Sequence, residues 1–260
     1  MGLTTAQIAL WLSASILELM LCAVVFRRHW IRRLPFFSVY LLLLAVREAF
    51  IFCVYRSAGY TSKLALYSAW IAQLVLLAGR GVSIGELAWI TSRPYPGFRI
   101  VTKWLLALAA CILLLRAAVA SIASNSRLPH FVLALETDLE ITAALVLVLL
   151  LVLAHRYEAY FPASEKLVAA GLLTYSLVQV VNNSISNHWL QSYFLGWNIV
   201  RAASFHVALV LWLIALAKPS PAPATQYERV DTQQARDFMA QGTAALRELT
   251  NQLTRFRRKL

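Results

Sequence analysis

Residues 131–154 read FVLALETDLEITAALVLVLLLVLA, and from Ile141 to Ala154 every residue but Thr142 is apolar. That apolar end rises only about 21 Å as a helix, short of the ~30 Å hydrocarbon core of a bilayer. To span, the helix must reach back through Glu136, Asp138 and Glu140, which places three carboxylates in its outer third. Carboxylates at that depth are costly unless they face a wet cavity or cationic partners. The chain is thereby constrained to bundle this helix with others that carry cations.

Other apolar runs supply the bundle. Seven spans are expected, at roughly 3–26, 35–55, 64–91, 104–123, 131–154, 167–187 and 194–217. Asn182, Asn183 and Ser184 interrupt the sixth. The basic residues orient the set. With the N-terminus outside, the inner loops hold Arg27, Arg28, Arg32, Arg33, Arg93, Arg99, Lys103, Arg156 and Lys166, and more follow from Lys218 onward. The outer loops hold only Arg56, Lys63 and Arg127. The positive-inside rule therefore favours N-out, C-in. Trp30, Tyr40, Tyr55, Tyr60, Trp104, Tyr157, Tyr160, Trp189, Tyr193 and Trp197 fall near span ends, where interface anchors belong. Gly81 and Gly85 form a GxxxG pair that would let a neighbouring helix approach closely. The fold class expected is an all-α, seven-helix polytopic membrane bundle over residues 1–217.

Residues 218–229 contain KPSPAPAT, a proline-rich linker of extended character. From 230 to 260 Met239, Gly242, Leu246, Leu249, Leu253, Phe256 and Leu260 alternate four and three apart. That seam fits a short coiled coil, through which the chain would pair or meet a cytoplasmic partner. It fits equally an amphipathic helix on the anionic inner leaflet, ending in Arg255-Phe256-Arg257-Arg258-Lys259.

The formal charge of +12 in a soluble protein would point to nucleic acid. With 60% hydrophobic residues and the cations gathered in loops, the partner implied is the lipid bilayer instead. Cys22, Cys53 and Cys111 sit in three different apolar runs without a CxxC pair, so neither a disulfide nor zinc is implied. No basic residue precedes the first apolar run, and Arg27-Arg28 follows it at once, which reads as a retained first helix.

Within the spans, Glu18, Glu48, Glu86, Glu136, Asp138 and Glu140 are accompanied by Arg47, Arg80, Arg116, Arg201 and His206. Counting ~1.5 Å per residue puts Arg80, His206, Arg116 and Arg47 near mid-depth, and Glu48, Glu140, Arg201, Asp138 and Glu136 above them. Intramembrane charges turn inward and pair. The candidate ligand pocket is therefore Arg47, Glu48, Arg116, Glu136, Glu140, Asn182, Asn183, Arg201 and His206, with Glu136 and Glu140 opposed by Arg116 and Arg201. The competing reading makes the same charges structural pairs that hold helix order. A bis-histidine haem needs two histidines at one depth on facing helices, and only surface pairs offer that. No cofactor is implied, and His206 reads as a core histidine.

Seven spans with N-out and C-in look like rhodopsins and G-protein-coupled receptors, but the seventh span has no lysine for a retinal Schiff base. The seven-helix zinc hydrolases need several intramembrane histidines, and His206 stands alone. No HExxH motif is present, and no enzyme class is indicated. Arg27-Arg28 to Arg32-Arg33 before Pro35-Phe36-Phe37, Tyr67 with Trp70, and Arg93-Pro94-Tyr95-Pro96 resemble a group of bacterial multi-span membrane proteins with no assigned activity. The resemblance implies the bacterial inner membrane and nothing about chemistry. The expected function is a receptor-like sensor for a small polar or charged ligand, acting through a partner. A transporter or ion-coupled carrier, or a structural subunit of a larger membrane complex, is the alternative.

Overall fold

The computed structural model describes residues 5–59, 62–92, 96–122, 127–156, 162–186 and 194–218. Among these the chain forms seven α-helices and one 3-10 turn, with no strand. The helices are α1 (Thr5–Arg27), α2 (Pro35–Ala58), α3 (Lys63–Ser92), α4 (Pro96–Ile122), α5 (Arg127–Arg156), α6 (Ala163–Ser186) and α7 (Phe194–Ala217). The 3-10 turn, Trp30–Arg32, joins α1 to α2. The expected linker and tail helix lie, beyond Lys218, outside the described residues.

Five helices are long and apolar enough to cross a membrane, namely α1, α2, α3, α4 and α7. Their outward faces carry large apolar side chains in the open, among them Ile16, Leu19, Phe50, Trp104, Leu115 and Ile122. A surface this apolar is stable only against other apolar matter, which makes this a membrane protein. Helix α4 begins at Pro96, two turns before the expected start at 104. Proline suits a first turn, where its missing N–H has no helical partner to lose, and Arg99 lies 4.3 Å over the Trp89 ring of α3.

Six helices close a ring in the order α1, α2, α3, α5, α6, α7, with α7 returning to α1. Helix α4 stands outside it, packed on α5 and α3. We call the end where α1 and α7 begin the upper end. The lower end is fastened around the 3-10 turn. Trp30, 2% exposed, donates its Nε1–H to the Leu216 carbonyl at 2.9 Å. Arg33 stacks on the Trp30 ring and meets Glu165 of α6 at 2.7 Å. Trp30 and Tyr40 are thus core residues, in contrast to the interface anchors expected, because their polar tips find partners within the protein.

Above this fastening, Trp212 is fully buried, edge-on to Phe37 at 5.4 Å and to Tyr40 at 6.1 Å. Its Nε1–H donates to the Val168 carbonyl at 3.2 Å. Among the described glycines the tightest surroundings are here, at Gly171. The Gly81 and Gly85 pair is not a close approach, since a Cβ at either would meet only a leucine methyl, at 3.6 and 3.9 Å.

Helix α2 starts without a cap of its own. Leu34 has no side chain to offer its first amides, and Pro35 occupies the first turn. Glu86 of α3 fills the gap, its carboxylate accepting the Phe37 N–H at 2.8 Å and the Phe36 N–H at 3.2 Å. An anion at a helix N-terminus is favoured both by these donors and by the helix dipole. Glu86→Ala is expected to lower stability by about 2 kcal/mol, and Glu86→Gln by roughly half as much, since one acceptor remains. Thermal melts of the detergent-solubilised protein check this; wild-type melting in Glu86→Ala would rule the cap out.

Candidate functional site

Inside the ring, toward its upper half, lies a cavity of about 620 Å³. Helix α1 contributes Leu10, Trp11, Ala14, Ser15 and Glu18; α2 contributes Tyr40, Leu44, Arg47 and Glu48. Gln73, Leu76 and Arg80 come from α3, Tyr175 from α6, and Ile199, Arg201, Ala202, Phe205 and His206 from α7. Trp11 and Arg201 are exposed, so the cavity reaches the surface beside them. Aromatic rings and charged groups of both signs share its wall, the mix that binds small organic ions.

Its electrostatics are built in layers. Deepest is Arg80, 3% exposed, which forms an ion pair with the wholly buried Glu140 of α5. The guanidinium lies 4.6 Å over the Tyr175 ring. Tyr175 in turn accepts a 2.8 Å bond from Gln179 Nε2 and packs edge-on against Phe205. Cation, carboxylate and ring thus compensate one another where neither charge meets solvent. Higher up, Arg47 pairs with its neighbour Glu48 at 3.0 Å, and Trp11 Nε1–H donates to the second Glu48 oxygen at 3.0 Å. On the opposite wall His206 bridges α7 to α1. Its Nδ1 lies 2.7 Å from the Ala202 carbonyl, which can only accept, so Nδ1 carries a proton. Its Nε2 lies 2.8 Å from Ser13 Oγ.

Of the residues expected to form a pocket, Arg47, Glu48, Arg201 and His206 line this cavity. The others do not. Glu140 is committed to Arg80. Arg116 sits 70% exposed on α4 and pairs with Asp138 at 3.0 Å. The expected opposition of Glu136 and Glu140 to Arg116 and Arg201 is therefore not formed. The reason is topological: α3 lies against the inner face of α5, while α4 is kept outside the ring. Glu136 and Asn182 are half-buried and do not line the cavity, although Glu136 is close enough to Arg80 to act on its charge. The Asn183 side chain lies outside the described residues. Reasoning from the sequence missed Trp11, Glu18, Gln73, Tyr40, Arg80, Tyr175 and Phe205. Among the described residues no cluster of histidine, cysteine and acidic side chains could hold a metal ion, and all three cysteines are free.

No family model, no curated protein and no solved structure matches this chain. The cavity must therefore be read from its own chemistry. It holds charged groups and aromatic faces, with His206 on its wall paired to the Ser13 hydroxyl. Such a lining can bind and orient a small ion.

Proposed function

We propose that this protein is a receptor-like sensor of the bacterial inner membrane, a seven-helix bundle with its N-terminus outside and its C-terminus inside. A small polar or charged ligand enters the cavity from the outer side, and a partner reads the outcome through the cytoplasmic tail. The observation that carries this reading is the cavity itself, roofed at the upper end by Arg201 and floored by the Arg80–Glu140 pair. The basic loops supply the orientation, since they place the upper end outside. Transport is the second reading. Discontinuous helices at a midplane site would favour it, but α1, α2, α3 and α7 each pass the cavity as one unbroken α-helix.

A library of small polar ions, screened by thermal shift on the purified full-length protein, tests the proposal. A ligand of the cavity should raise the melting temperature of the wild type, and Arg201→Ala should abolish that rise while leaving the unliganded melting point within about 1 °C, as expected of an exposed site. Stabilisers indifferent to both Arg201→Ala and Arg47→Ala would sink it. Proteoliposome flux of the same hit separates the two readings, because a sensor moves nothing.

A further inference from the structure

Two of the cavity's charges are left without a partner, and they differ in sign. The Arg47–Glu48 and Arg80–Glu140 pairs are each internally compensated. Glu18, 5% exposed, has no hydrogen bond or ion pair to any described residue, although it borders the cavity. Both members of the Arg47–Glu48 pair lie near it, but they are bonded to each other and neither is in contact with it. Arg201 is likewise without an ion pair among the described residues. A carboxylate out of water without a cation is costly, and a ligand that brings the cation removes that cost.

Position fixes what such a ligand looks like. Ser13 and His206 touch at 2.8 Å, which sets α1 and α7 in register, both running downward. Glu18 lies five residues below Ser13, and Arg201 five residues above His206. At ~1.5 Å per residue their Cα levels stand roughly 15 Å apart. Between them the wall is Leu44, Trp11, Tyr175 and Phe205.

Resting on the reading of the cavity as a ligand site, we infer that its ligand is an elongated zwitterion. Its ammonium lies at Glu18, its carboxylate at Arg201, and an apolar body spans the aromatic wall. A free α-amino acid, with both charges on one carbon, cannot reach both groups. A short peptide and an ω-amino acid share the required chemistry.

The test is calorimetry on the full-length protein in nanodiscs with 8-aminooctanoate, octanoate, octylamine, trialanine and alanine. The zwitterionic 8-aminooctanoate or trialanine should bind at least about tenfold tighter than octanoate and octylamine, a difference of about 1.4 kcal/mol, and alanine should not bind. Glu18→Gln should erase the advantage over octanoate while Glu18→Asp keeps it, and Arg201→Gln should erase the advantage over octylamine. Tighter trialanine points to a peptide source, tighter 8-aminooctanoate to an aliphatic one. Octanoate binding as well as 8-aminooctanoate, unmoved by Glu18→Gln, would overturn the zwitterion and leave an anion site. If no probe gives heat that Arg201→Gln removes, the cavity reading falls, and the zwitterion with it.

Discussion

Glu140→Gln is expected to lower the melting temperature by roughly 10 °C, the reading of about 3–5 kcal/mol lost when one member of a buried ion pair is removed. The neutral amide keeps the shape of the side chain, so the loss measures charge. Arg80 would be left 3% exposed with its guanidinium over Tyr175 and no anion in contact. Arg80→Met in the same chain should recover most of the loss, because a buried pair replaced by apolar groups of similar volume is close to neutral. A thermodynamic cycle over the two single variants and the double variant supplies the coupling. Additive single-variant effects, or a Glu140→Gln protein that melts with wild type, would mean that Arg80 finds its compensation elsewhere in the cavity.

The Arg80–Glu140 pair also marks the limit of what the apolar runs encode. The helices were legible because their apolar runs are long and the basic clusters between them are sharp, so that the expected bounds and the observed ones differ by a few residues, the start of α4 apart. Depth was legible too. Counting rise placed Arg80 and Glu140 in neighbouring layers, and Arg47, Glu48, Arg201 and His206 line one cavity. Adjacency was not. Nothing in a string of apolar runs says that α3, and not α4, covers the inner face of α5, and so Arg116 reads from sequence as interior although α4 stands outside the ring. Aromatic residues were illegible for a different reason. Trp30 and Tyr40 sit near helix ends and look like lipid anchors, yet a bonded indole and a buried ring in the core read the same in sequence. The aromatic wall of the cavity, Tyr175 and Phe205, carries no local signal at all.

Glycine shows the same limit and gives the second large effect. GxxxG drew attention to Gly81 and Gly85, but the tight contact is between α6 and α7 at Gly171. A Cβ there would fall on Trp212 Nε1, 2.8 Å from Cδ1 and 3.3 Å from the Ala208 carbonyl. The indole cannot swing aside, being held between Phe37 and Tyr40 and bonded to the Val168 carbonyl. Gly171→Ala is therefore expected to cost about 3 kcal/mol, from overpacking of about 1–3 kcal/mol together with the weakened indole bond of about 1 kcal/mol. Gly81→Ala and Gly85→Ala meet only leucine methyls at ordinary distances. Both should be neutral or stabilising by up to about 1 kcal/mol, the helix preference for alanine over glycine. Denaturation midpoints of the three variants in one detergent decide between the positions. Adding Trp212→Phe to Gly171→Ala removes the atoms the new methyl strikes and should restore part of the loss. A Gly171→Ala protein as stable as wild type, or one that Trp212→Phe only harms further, would show that α6 and α7 are not locked through this indole.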